Sequence, residues 1–202
     1  MLYPRKIFEM VKQVLGREEF IILTGARQTG KTSILLMLKE YLAGKGRNCH
    51  YLNLENPDYL KALNLHPFNL FEMLPDHRGK MYVFIDEIQY LEDPTGFLKL
   101  LYDEKRTEVK LIVSGSSAFY IDRKFKDSLA GRKFLFEVQP LDFSEFLVFN
   151  GAAGLLKVEK GGKSAYNKDK ILGLWKKYIT YGGYPKVALA EDADMRKMII
   201  SE

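Results

Sequence analysis

The chain has a single cysteine, Cys49, in 202 residues. An internal disulfide is therefore excluded, and a reducing compartment suits the composition. Cys49 opens a predicted strand and reads as a buried thiol. The three histidines, His50, His66 and His77, show no metal-ligand spacing. There is no Cys/His cluster and no nucleophile elbow. No apolar run approaches the roughly 20 residues that span a bilayer, so no membrane is expected as a partner. Residues Met1 to Lys6 continue into a helical pattern with Glu9 and Lys12, so a signal peptide is not expected and a cytoplasmic location is. Internal repeats and low-complexity tracts are absent from the sequence.

Hydrophobic residues make up 47% and charged residues 28% of the chain, typical of a soluble globular protein. The length suits one good-sized domain, or one domain with a small appendage. The net charge is +5. Residues 157–177 hold seven lysines (157, 160, 163, 168, 170, 176 and 177) against Glu159 and Asp169, which equals the whole excess. A solvated loop and helix start is one reading; a surface facing DNA or another acidic partner is the other. Aromatic interleaving is sparse, so a base-stacking surface is not indicated.

Residues 20–33 carry the chemistry. The apolar run Phe20-Ile21-Ile22-Leu23-Thr24 leads into Gly25-Ala26-Arg27-Gln28-Thr29-Gly30-Lys31-Thr32 and then Ser33. This is G-x-x-x-x-G-K-T between a strand and an amphipathic helix, the setting a phosphate-binding loop requires. Gly25 and Gly30 allow dihedrals closed to residues with a Cβ. Successive N–H groups and the helix N-terminus then face phosphate oxygens. Lys31 reaches the β- and γ-phosphates, and the Thr32 hydroxyl is a ligand for Mg2+.

Along the chain, helical periodicity over 5–19 ends at Gly16. Strands are expected at 20–24, 50–54, 81–85, 110–113 and 134–138, with helices to about 43 and over 95–105. Residues 58–77 read as short helical pieces broken by Pro67 and Pro75. Ser144 opens a helix, 150–168 reads as a Gly/Lys-rich linker or loop, and a helical pattern from 169 is interrupted at Gly182-Gly183-Tyr184-Pro185. Strands alternating with helices predict an α/β fold with a parallel sheet covered on both faces.

The strand at 81–85 runs into Asp86-Glu87, the Walker B pattern: Asp86 holds Mg2+ directly or through water, and Glu87 orients and deprotonates the attacking water. A Glu beside that Asp argues for hydrolysis and against a small-molecule kinase. The next strand ends in Ser114-Gly115-Ser116-Ser117, where a hydroxyl beside the γ-phosphate and a plain capping turn are both open. Arg132 is a candidate for stabilising transferring charge, in cis or from a neighbouring subunit, and equally a surface residue.

Together these segments resemble the AAA-type P-loop ATPases of archaea and bacteria, close to their STAND branch. The resemblance rests on Thr24–Thr32, Tyr51-Leu52-Asn53-Leu54-Glu55-Asn56-Pro57, Phe84-Ile85-Asp86-Glu87-Ile88-Gln89, Ser114–Ser117, Leu129-Ala130-Gly131-Arg132, Pro140–Phe146 and Tyr181–Pro185. It departs at Ala26, where a Pro is usual. It implies five strands in the order 5-1-4-3-2, sandwiched by helices, with a small C-terminal helical segment. It assigns Ser116 as the sensor, supports Arg132 as a phosphate-directed arginine, and makes Tyr184 and Pro185 adenine-side candidates. ATP or ADP with Mg2+ are the implied cofactors, and a homo-oligomer is compatible. The expected organisation is an ATPase core over 1–155, a linker over 156–168, and over 169–202 the start of a lid or winged-helix region. Family members usually continue into a winged-helix or nuclease-like region, so the chain reads as a fragment. The leading reading is an Mg2+-dependent ATPase that drives or switches such an effector. The alternatives are a slow-turnover nucleotide-gated module and direct DNA binding through the lysines.

Overall fold

The computed structural model describes residues 3–75, 79–116, 129–157 and 165–201. His77, Ser117, the polar stretch 122–127, Lys160 and Lys163 lie outside them. Five strands, β1 (Phe20–Thr24), β2 (Asn48–Asn53), β3 (Met81–Asp86), β4 (Val109–Ser114) and β5 (Lys133–Glu137), form one parallel sheet. Their order is β2-β3-β4-β1-β5, the expected order read from the other edge. Every residue of β1 and β4 is buried, whereas the edge strands β2 and β5 are mostly half-exposed. The continuous apolar runs belong to the strands covered on both faces.

Strand alternation divides the side chains between two cores. Phe20, Ile22, Val83, Ile85, Leu111 and Val113 face α3 (Pro57–Leu65), α4 (Asn69–Glu72) and α5 (Pro94–Lys105). Ile21, Leu23, Phe84 and Ile112 face α1 (Lys6–Lys12) and α2 (Lys31–Ala43). The α2 stripe Ile34, Leu35, Leu38 and Leu42 supplies the helix side of that core. The first helix is shorter than its periodicity predicts, ending at Lys12. Leu15 is still buried, but it reaches the core from a turn.

Contacts divide the chain into two compact units. One comprises Ile7–Arg27 with Lys31–Val138 and holds the sheet; the other comprises Met1–Lys6, Gln28–Gly30 and Gln139–Glu202. The second unit contains α6 (Phe143–Phe149), α7 (Ala165–Tyr181), α8 (Pro185–Leu189) and α9 (Ala193–Ser201). Asp142 opens α6 in a capping box with Glu145. Leu141, Phe146, Phe149 and Ala188 form its core, with Tyr3 and Tyr178 packed against them. Gly183 is fixed by space: a Cβ there would lie 2.2 Å from the Leu141 carbonyl oxygen.

Candidate functional site

The loop between β1 and α2 has the predicted backbone. Gly25 and Gly30 take φ of +148° and +92°, conformations that glycine enters freely. Gln28 also has positive φ, +64°, and the other non-glycine residue of this kind among the described residues is Glu87, at +58°. Such strain gathers where the surrounding structure imposes it for function, and here both instances fall in the predicted site. Ala26, Arg27 and Gln28 are exposed, as are Thr32 and Ser33, while Thr29 is buried.

Lys31 is buried, and its Nζ donates to the carbonyls of Gly25 (3.1 Å) and Ala26 (2.8 Å). Burial lowers its pKa from the ordinary value, opposed by the carboxylates of Glu87 and Asp86. Arg5 holds the loop by a different means. Its Nη1 donates to the Thr29 carbonyl at 3.0 Å, its Nη2 to the Gln139 carbonyl at 2.7 Å, and its Nε to Glu145 Oε1 at 3.0 Å. Arg5 and Glu145 are both buried, and the guanidinium fork suits three acceptors at fixed angles.

Asp86 ends β3 on the α2-facing side of the sheet, in line with Phe84. It is only 2% exposed. Ser114, ending β4, donates its hydroxyl to Asp86 Oδ1. Tyr51, on β2, donates its hydroxyl to Oδ2 at 3.0 Å. Burial and the neighbouring Asp86 carboxylate push the Tyr51 phenol well above its ordinary pKa, so it stays a donor. Glu87 follows in the left-handed conformation; its N–H donates to Ser114 Oγ at 3.4 Å. The Gln89 amide then bridges two predicted site residues, donating to Glu87 Oε2 and accepting from the Ser116 N–H at 3.2 Å.

Among the predicted residues, the structure thus brings together Lys31, Asp86 and Glu87, with Ser116 reached through Gln89. It does not bring Arg132 to them. Arg132 precedes β5, and its carbonyl accepts from the N–H of Phe20 at the start of β1. That is the strand edge opposite the loop, and there Arg132 pairs with Asp103 at 2.8 Å. Pro185 stands beside the loop: a Cβ on Gly30 would be 3.7 Å from its Cγ. Tyr184 is the residue before α8 and is about one-third exposed. Of the lysines, Lys168, Lys170 and Lys176 are exposed, while Lys177 donates to Asn150 Oδ1 at 2.8 Å.

The residues fit Mg2+. Among the described residues, no group of three or more His, Cys, Asp or Glu is placed to hold a metal. Mg2+ bound with a nucleotide needs no such group, because it keeps waters and takes phosphate oxygens and one or two carboxylates. Buried Asp86 and the exposed Thr32 hydroxyl supply a donor set of that kind. Thr24 Oγ1, the last side chain before the loop, is buried without a hydrogen-bond partner among the described residues. Sequence reading did not single out Tyr51, Gln89, Arg5 or Ser114 as residues of the site. Parity held the signal for Tyr51: it lies two residues before Asn53, which pairs with Asp86.

A glycine-punctuated loop between a central parallel strand and a helix, with an acidic pair ending the strand one beyond its neighbour, defines a P-loop NTPase. A model of the AAA domain family matches residues 17–147, and the chain belongs to that family. It is 26% identical over 211 residues to an uncharacterized protein of Haemophilus influenzae, covering 95% of this chain and 49% of that protein. A Methanocaldococcus jannaschii protein, MJ1544, is 27% identical over 190 residues, covering 90% and 39% respectively. The chain therefore spans half or less of the length of these curated relatives. Among solved structures, Cdc6p from Pyrobaculum aerophilum superposes with a TM-score of 0.60 at 15% identity, covering 94% of this chain and 61% of that one. AMPPCP-bound DnaA from Aquifex aeolicus gives 0.52 at 17% identity, with 88% and 62% covered.

Proposed function

We propose that this chain binds ATP with Mg2+ and hydrolyses it, and that the cycle drives or switches further polypeptide such as its longer relatives possess. The observation that carries this reading is the buried Lys31 of the glycine loop lying within reach of the charges of Asp86 and Glu87. In this reading the N–H groups from Gly25 to Ser33 hold phosphate oxygens and Lys31 neutralises the β- and γ-phosphates. Thr32 and Asp86 hold Mg2+, which when bound withdraws charge from the phosphates. Glu87 takes the proton of the attacking water, and Ser116 responds to the γ-phosphate. Tyr184 and Pro185 flank the adenine. Arg132 acts on a neighbouring copy's nucleotide, because the loop of its own chain lies at the opposite end of the strands.

The test is ATP hydrolysis by the purified chain with Mg2+, beside Lys31→Ala and Glu87→Gln, with and without DNA. Turnover abolished by both changes supports the reading, and stimulation by DNA would make DNA the partner class. Unchanged turnover in Glu87→Gln, with binding intact, removes Glu87 as the base.

One observation favours a second reading. The Glu87 carboxylate is engaged by Gln89, which suits a nucleotide-gated module that turns over slowly and signals by conformation. Tight ATP binding lost in Lys31→Ala, with negligible turnover in every sample, supports that alternative.

A further inference from the structure

We propose that Tyr51 is a positioning residue for the divalent cation at Asp86, and that its hydroxyl sets a preference for Mg2+ over Ca2+. The inference rests on the nucleotide reading above and concerns a residue that reading does not use.

Tyr51 pairs with Phe84 in the β2–β3 register, one step short of Asp86 on the same face. Its ring packs against the α2-side core, which fixes the direction of the hydroxyl. That hydroxyl reaches past its own partner to Asp86 Oδ2, at 3.0 Å. Asn53, directly opposite Asp86, does not compete. Its side chain turns to Glu55, accepting from the N–H at 3.0 Å and donating to Oε2 at 3.1 Å. Asp86 Oδ1 takes the Ser114 hydroxyl from the other flank. Each carboxylate oxygen is therefore held by a donor from a different neighbouring strand. The carboxyl plane cannot turn without breaking both bonds.

An ionised carboxylate offers about four lone-pair sites. Two are taken here, one on each oxygen. What remains serves a single-oxygen contact, or a hydrogen bond from a metal-bound water. Mg2+ is suited by that, since it keeps its waters and demands near-ideal octahedral geometry. Ca2+ takes more oxygens and commonly chelates a carboxylate through both. Tyr51 and Ser114 contest that chelation. Tyr51→Phe keeps the packed ring and removes only the grip on Oδ2.

The experiment is binding of a fluorescent ATP analogue, titrated with Mg2+ and separately with Ca2+, for the native chain, Tyr51→Phe, Asn53→Ala and Asp86→Asn. Binding in EDTA and thermal unfolding are measured on each. In Tyr51→Phe the half-saturating Mg2+ rises about tenfold or more, as for loss of one hydrogen bond to an anion. Its Ca2+ response stays level or tightens, so the preference falls, while EDTA binding and unfolding stay as in the native chain. Asn53→Ala keeps the native preference. Tyr51→Phe curves superimposing on the native ones for both metals, while Asp86→Asn flattens them, overturn the proposal and leave the nucleotide reading standing. Equal weakening of EDTA binding in Tyr51→Phe also overturns it, by making the role merely structural. A native Mg2+ response in Asp86→Asn removes Asp86 as the metal residue, and the proposal with it.

Discussion

Arg5 and Glu145, 140 residues apart, meet at 3.0 Å with both side chains buried. The pair does more than neutralise charge. Arg5 also carries the Thr29 and Gln139 carbonyls, and Glu145 also accepts from the Lys6 N–H at 2.8 Å and completes the α6 cap. Removing one partner leaves a buried charge alone, which typically costs about 3–5 kcal/mol. Arg5→Met and Glu145→Gln are each expected to destabilise the chain by that order, seen as a lower urea midpoint. Arg5→Met is further expected to weaken nucleotide binding, since Thr29 loses its tether. Denaturation midpoints matching the native chain in both variants would count against the role of the pair.

Gly182 and Gly183 are adjacent and are expected to fail differently. Gly183→Ala drives a Cβ against the Leu141 carbonyl at 2.2 Å, a backbone atom that cannot swing aside. Gly182 has open space but a φ of +80°. Gly182→Ala should cost about 1–2 kcal/mol from conformation alone. Gly183→Ala should exceed it, at about 3 kcal/mol, by the overpacking route. Thermal unfolding of the two single variants ranks them, and the reverse ranking would contradict the steric argument.

Lys110 gives a pH signature far from any nucleotide. It is wholly buried in β4, and its Nζ donates to the carbonyls of Arg17 and Glu19. Burial, with Lys80 nearby, lowers its pKa from 10.5 to about 8. A neutral amine keeps two N–H groups, enough for both carbonyls. Between these values the unfolded chain binds more protons than the folded one. Stability contributed by this residue therefore rises with pH from about 8 to about 10.5 and is level below that window. The rise over the whole window is of order 3 kcal/mol. Urea unfolding of the native chain against Lys110→Met, at pH 7, 8.5 and 10, measures it as the difference between their slopes; parallel pH profiles would refute it.

Gln89 joins the carboxylate of Glu87 to the backbone of Ser116. If that amide holds Glu87 back from water, Gln89→Ala should raise the steady-state ATPase rate by about threefold or more, equivalent to part of one charge-assisted hydrogen bond. A rate that falls instead would recast Gln89 as the group that aims Glu87 productively.

The strands and the loop were legible because they depend on local pattern: apolar runs, glycines at fixed offsets, and an acid closing a strand. The order of the strands came from the family resemblance, since no local pattern encodes it. Arg132 was legible in part. It stands just before β5, and parallel strands begin at the edge away from the loop, so strand direction already disfavoured a contact within one copy. Tyr51, Gln89 and Arg5 were not legible. Each acts through a hydroxyl, an amide or a guanidinium whose partner is chosen by packing; parity could give Tyr51 its face of the sheet once the register was known, but not its partner. The compact unit that gathers Arg5, Thr29 and Glu145 was hidden for the same reason, since its three pieces are far apart in sequence.

Asp86, Tyr51 and Ser114 occupy one face because each sits an even number of residues from a side chain of the α2-facing core: Asp86 from Phe84, Tyr51 from Cys49 and Ser114 from Ile112. The arrangement is thus a matter of counting. A single-residue insertion within β3 would carry the carboxylate to the far face of the sheet, and one within β2 or β4 would carry away a hydroxyl. Two-residue insertions would restore the face but shift the register. Changes in chain length are therefore tolerated in the connections and forbidden inside these three short strands, whatever residue is inserted.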